Sequence, residues 1–226
     1  MTDRHRLAQW TKWSEKISSA LDHRLLSKEL FLQVQKIIKS NSTLPPSYFY
    51  AWFQNAYIAD MAIGMRRLID ADHRSVSLRQ LISDIERYPM ILTRNVYVAK
   101  YDKRPFMQRV ANSVFDRYAG KKRNCISPIQ VRKDLKQLNR KTKKFYRFVT
   151  LRIAHSDKKR APQVTFDDMH RSLEEIRLLV DKYLLLIRGT HYSRDFSLEG
   201  DLTDLFSRPW YLKDKARTMA PISAIS

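Results

Sequence analysis

Apolar residues recur along this chain in steps of three, four and seven, the spacing that stacks side chains on one face of an α-helix. Val131, Leu135, Leu138, Phe145 and Val149 follow it and predict a long helix from about Ser127. Pro128 falls in the first turn, where a missing N–H costs nothing. Met169, Leu173, Ile176, Val180, Tyr183 and Ile187 form a second stripe. Thr165 precedes it as an N-cap with Asp168 three residues later, and Gly189 closes it. The two long helices are expected to pack side by side.

Nearer the start, Ser77 with Gln80 reads as a capping box and Val76 with Leu81 as its hydrophobic staple. A short helix is predicted there, stopping before Pro89. Leu44-Pro45-Pro46-Ser47 separates an N-terminal helical arm from an apolar helix that begins near Tyr48 and ends at Arg66-Arg67-Leu68-Ile69-Asp70. Asp60 is the only charged residue between Tyr48 and Met65, so this helix is expected at the centre of the bundle, buried on nearly all sides. It is a poor membrane span, which needs about 20 predominantly apolar residues, because Gln54, Asn55, Asp60 and Gly64 interrupt it. Arg104-Pro105 and the stretch from Gly120 to Ser127 read as surface connections.

Four glycines in 226 residues and a helical period nearly everywhere predict an all-α bundle with long central helices and no sheet. One domain is expected over 1–226, with an arm over 1–44, a bundle over 45–190 and a C-terminal tail over 191–226. Leu202, Leu205, Phe206, Trp210 and Leu212 give that tail apolar surface with which to dock.

Charge changes this picture from a generic bundle to one with a preferred partner. Residues 94–160 hold 21 of the 43 Lys and Arg but 4 of the 23 acids, a local excess of 17 out of a formal net charge of +20. Such a field concentrates polyanions by electrostatic steering and points to RNA or another nucleic acid. A hydrophobic fraction of 43% with 29% charged residues is a globular composition. Cys125 is the only cysteine, which excludes an intrachain disulfide and suits the reducing cytoplasm. Met1-Thr2-Asp3-Arg4-His5-Arg6 leads into a mixed run and not an apolar core, so no secretory leader and no membrane partner are expected.

The basic segment closes on Arg152-Ile153-Ala154-His155-Ser156-Asp157. On an α-helix, Arg152 and His155 stand three apart, with Cβ atoms about 5–6 Å from each other. Such a pair can hold one phosphate jointly, and an imidazole there can move a proton; the plainer alternative is a histidine that caps the core. Asp157 either orients the imidazole or caps a helix end. Lys158, Lys159 and Arg160 extend the basic surface of Lys143, Lys144 and Arg147. Arg66 and Arg67 end the nearly uncharged helix, where they either pair with Asp70 or clamp a phosphate. Asp70 with His73 lacks a third metal ligand, and no Gly-rich phosphate loop or nucleophile elbow is present, so neither metal nor cofactor is expected. Phe145, Tyr146 and Phe148 lie among the cations, where one of them could stack on an unpaired base, although Phe145 belongs to the core stripe.

The run Phe148-Val149-Thr150-Leu151-Arg152-Ile153-Ala154-His155-Ser156-Asp157-Lys158, followed by Thr165-Phe166-Asp167-Asp168 and a helix ending Lys182-Tyr183, resembles the HEPN superfamily. More narrowly it is similar to the bacterial branch associated with abortive infection of phage. The similarity extends to Ile63-Gly64-Met65-Arg66-Arg67-Leu68-Ile69-Asp70 and to Leu205-Phe206-Ser207-Arg208-Pro209-Trp210. The resemblance implies a helical bundle, often a homodimer, that cleaves RNA without a metal in an antiviral or toxin–antitoxin setting, under control of an antitoxin or other regulatory partner. It also implies His155 as acid and base, Arg152 or Arg147 as the stabiliser of developing charge, and Asp157 as a support. Arg147 leaves seven residues before His155 and Arg152 leaves two, on either side of the separation the family's catalytic motif uses. The competing reading is a non-catalytic RNA-binding or scaffold protein that keeps the bundle.

Overall fold

The structure, a computed structural model, describes residues 2–40, 48–154 and 162–192 and Leu202, with residues 152–154 described as backbone only. Seven α-helices occupy the described residues: α1 (Asp3–Ser40), α2 (Tyr48–Leu68), α3 (Leu78–Arg87), α4 (Arg94–Val98), α5 (Pro105–Ala119), α6 (Pro128–Phe148) and α7 (Phe166–Arg188). No sheet is formed among them; one isolated bridge joins Thr93 to Cys125. The fold is all-α, as the period of the sequence requires.

Helix α7 forms the centre. All six residues of its predicted stripe are buried, and so are Leu179, Leu184, Leu185 and Leu186, which fall between them. It packs against α1 on one side and α6 on the other, while α3 rests on α6 and α2 on α1. Its ends are set by the residues expected to set them. Thr165 accepts from the Asp168 N–H at 3.1 Å, the Asp168 carboxylate accepts from the Thr165 N–H at 3.2 Å, and Gly189 takes a left-handed φ of +79°. Lys100 reaches across to donate to the carbonyls of Leu186 and Ile187 at 2.8 and 2.6 Å, satisfying acceptors at the helix C-terminus, and burial pulls its pKa down to about 8.

The placement of α2 corrects the reading of its composition. Tyr57, Met61, Ala62, Met65 and Leu68 are buried, but Tyr48 is 98% exposed, Trp52 63% and Phe49 54%. An absence of charge measures how apolar a helix is, not how many neighbours surround it. The longer stripe of α7 wins the central position because α1 and α6 can cover it from opposite sides.

Helix α1 contributes Trp10, Ile17, Leu21, Phe31 and Val34 to the core. Asp84 of α3 holds its first turns, accepting from Arg6 at 2.9 Å and from the Trp10 indole N–H at 2.8 Å. Further along, Phe31 stacks on Tyr57 with ring centroids 3.9 Å apart. Ser77 caps α3 through the Gln80 N–H at 3.1 Å, but the Gln80 amide donates to the Ala71 carbonyl at 2.5 Å, so the expected reciprocal box is half formed. The five-residue α4 is too short to show a period, and α5 was missed although Met107, Ala111, Phe115 and Ala119 recur every four residues; Arg104-Pro105, read as a connection, opens α5 with proline in its first turn.

Candidate nucleic-acid interface at the end of helix α6

One face of α6 is core. Val131, Leu138, Phe145 and Val149 are buried, and Asp134 lies beside them at 6% exposure. Asp134 accepts from Lys182 at 2.5 Å, from the Tyr183 hydroxyl at 2.8 Å and from the Gln130 amide at 3.1 Å, which locks α6 to α7. Desolvation, with the Asp134 charge beside it, holds the Tyr183 hydroxyl protonated well above its ordinary range.

The opposite face is cationic. Lys136, Arg140, Lys143 and Arg147 are exposed and follow one another by four, three and four residues, which aligns them in a single row. None of the four forms an ion pair or side-chain hydrogen bond among the described residues, unlike their neighbours Arg132, 2.6 Å from Glu86, and Lys144, 2.6 Å from Asp168. Eleven residues at about 1.5 Å each make the row about 17 Å long. Lys143 and Arg147 were singled out by sequence; Lys136 and Arg140 were not, although their spacing from that pair is the signal that finds them. Lys144 serves a structural bond instead. Its ammonium and the Thr165 N–H hold the Asp168 carboxyl down at about 2, tying α6 to the start of α7.

After Phe148 the helix changes pitch. Val149–Ala154 is π-helical, with hydrogen bonds closing over one more residue per turn. The Thr150 hydroxyl is buried there without a partner, whereas Thr142, in the regular part of α6, donates to the Leu138 carbonyl at 2.7 Å. The expected adjacency of Arg152 and His155 presumes an α-helical path; Val149–Ala154, where the described backbone ends, is π-helical and puts neighbours on a face four and five apart. His155, Asp157, Lys158, Lys159 and Arg160 lie outside the described residues, as does the side chain of Arg152.

Arg66 and Arg67 do not pair with Asp70. The Asp70 carboxylate accepts from the Asp72 N–H at 3.2 Å, and the Arg66 guanidinium lies 5.5 Å from the centre of the Tyr146 ring. Arg66 therefore meets α6 one residue before Arg147, and Arg67 is exposed. Beside the π turn, Ile58, Phe145, Phe148, Val164, Phe166 and Met169 line an apolar cleft of about 300 Å³. His170, the residue after Met169, shares a hydrogen bond of 2.7 Å with the Tyr57 hydroxyl, and burial with the Lys28 charge lowers its pKa. No three His, Cys, Asp or Glu side chains among the described residues are grouped as metal ligands, and no helix there is long and apolar enough to cross a membrane.

The described residues form an all-helical bundle without a sheet, consistent with the HEPN fold class. The family model HEPN_AbiU2, described as AbiU2, matches residues 15–204, and the chain belongs to that abortive-infection-associated family. No curated protein and no solved structure matches the chain significantly.

Proposed function

We propose that this protein binds RNA along α6 and cleaves it as a metal-independent endoribonuclease in antiviral defence, with His155 and Arg147 as the central pair. The observation that carries the reading is the exposed row of Lys136, Arg140, Lys143 and Arg147 on α6, without ion pairs among the described residues, which leads towards the sequence segment that holds His155. Arg147, the last cation of that row, is preferred to Arg152 as the group that meets the scissile phosphate.

In this mechanism the row of Lys136, Arg140 and Lys143 guides the backbone towards Arg147, and an unpaired base enters the apolar cleft beside Phe148. His155 takes the proton from a ribose 2′-OH as that oxygen bonds to the adjacent phosphorus. The bond from phosphorus to the 5′ oxygen breaks, leaving a 2′,3′-cyclic phosphate and a 5′-OH that is protonated as it departs. Arg147 stabilises the charge that builds on the non-bridging oxygens. Asp157 supports the imidazole, Arg66 and Arg67 bind phosphate from the end of α2, and Lys158, Lys159 and Arg160 continue the docking surface. A homodimer would supply a second histidine to protonate the leaving oxygen.

The test is RNA breakdown in excess chelator, comparing wild type with His155→Ala. Cleavage by the wild type to 2′,3′-cyclic ends, lost in the variant while RNA binding and thermal stability are kept, supports the enzyme. A wild type that binds RNA and leaves it intact returns the protein to the binding or scaffold class.

A further inference from the structure

A second basic cleft lies at the other end of α6, about 30 Å away for a helix of 21 residues. Its volume is about 380 Å³, and Arg117, Tyr118, Arg123, Ser127, Lys133 and Lys182 line it together with the first turn of α6. The start of this helix is not capped by a side chain. Ser127 occupies the N-cap position, is 7% exposed, and its hydroxyl makes neither the capping bond nor any other hydrogen bond among the described residues. Pro128 has no N–H, so the N–H groups of Ile129 and Gln130 are the donors that the helix leaves open. A serine that is 7% exposed and whose hydroxyl has no partner among the described residues, two free amides and the positive end of a helix dipole converge on one cleft.

The charges around it leave that convergence uncompensated. Arg117, Arg123 and Lys133 are exposed and form no ion pair among the described residues. The nearby carboxylates are already engaged: Asp134 with Lys182, Glu86 with Arg132, and Asp116 with Arg94. Carbonyls at the end of α5 oppose an anion, but the Gly120 carbonyl is occupied by the Arg123 N–H at 3.3 Å. The Arg94 guanidinium donates to the Arg123 carbonyl at 2.9 and 3.1 Å and holds the loop that carries Arg123. Tyr118 and the exposed Ile129 form an apolar wall beside the cations.

We propose that this cleft is a binding site for a phosphate monoester dianion, with the Ile129 and Gln130 amides and the Ser127 hydroxyl as donors and Arg117, Arg123 and Lys133 as counter-charges. A monoester fits better than an internal phosphodiester, because two negative charges meet three cations and a terminal phosphate can reach the recessed amides. It is separate from the cleavage site proposed at the far end of α6 and does not depend on it. The dianion has two possible sources, a free phosphorylated small molecule or the phosphorylated end of an RNA strand.

Backbone amide NMR on the full chain tests it. Inorganic phosphate, titrated at constant ionic strength against chloride, is expected to shift the Ile129 and Gln130 amides saturably, and Arg117→Gln/Lys133→Gln to weaken that binding at least tenfold. Lys12→Gln/Lys16→Gln, on α1 and outside the cleft lining, is expected to bind as the wild type does. Adenosine 5′-monophosphate and paired RNA hexamers with 5′-phosphate or 5′-hydroxyl ends then identify the source: competition by the nucleotide alone assigns a small molecule, and competition by the phosphorylated hexamer but not its hydroxyl twin assigns an RNA end. Unmoved Ile129 and Gln130 amides, or a variant that binds within twofold of wild type, would overturn the proposal.

Discussion

Replacing Asp134 by alanine removes one carboxylate and strands three donors at once. Lys182, whose side chain is 13% exposed, loses its ion pair, the fully buried Tyr183 hydroxyl loses its acceptor, and the Gln130 amide loses a third bond. Breaking one partner of a buried pair costs about 3–5 kcal/mol. Because Lys182 borders an open cleft and can partly rehydrate, the lower half of that range is expected. Tyr183→Phe alone should cost about 1.5 kcal/mol, the lower limit for a hydrogen bond to a charged acceptor, since Asp134 keeps two other donors. The assay is guanidinium unfolding, with a change in midpoint at unchanged slope. Combining Asp134→Leu with Lys182→Met and Tyr183→Phe should recover most of the loss, because no buried polar group is then left unpaired. A cost below about 1 kcal/mol for Asp134→Ala, or strict additivity of Asp134→Ala with Lys182→Met, would refute this account of how α6 and α7 are joined.

Two other outcomes follow from the same structure. If the row of Lys136, Arg140, Lys143 and Arg147 contacts four phosphates of single-stranded RNA, the log–log salt slope contributed by the row is about −2.8, and Lys143→Gln/Arg147→Gln should reduce the slope by about 1.4; fluorescence anisotropy between 50 and 200 mM salt measures it, and an unchanged slope rules the row out. The folded-state pKa of His170 lies below its unfolded value, so its contribution to stability is complete above about pH 6.5 and is lost as the pH falls from there towards the folded value. His170→Gln should flatten that part of the pH–stability profile in thermal unfolding, and an identical profile would contradict the burial of this imidazole beside the Lys28 charge.

Long stripes were the legible part of the sequence. The residues of α7 specify its length, caps and buried face, because a six-residue period-3.6 pattern bounded by Thr165 and Gly189 has few other readings. The centrality of α2 was misread, since Tyr48, Phe49 and Trp52 are apolar yet exposed, and composition does not register which neighbours arrive. The site was harder still. A π turn has no residue signature in Val149-Thr150-Leu151-Arg152, so the sequence reading assumed an α-helical path there and kept both Arg152 and Arg147 as candidates. The open N-terminus of α6 was equally hidden, because Ser127-Pro128 reads as an ordinary cap and only coordinates reveal that its hydroxyl caps nothing.

The central proposal is that Arg147, the last cation of the exposed α6 row, and not Arg152, is the partner of His155 in RNA cleavage. Single-turnover RNA cleavage rates of Arg147→Ala and Arg152→Ala, measured with saturating protein, test it most directly. The expected result is a loss of at least a hundredfold for Arg147→Ala, in the range seen when one charge-stabilising donor is removed, and less than tenfold for Arg152→Ala. The reverse order, or equal losses, would contradict it.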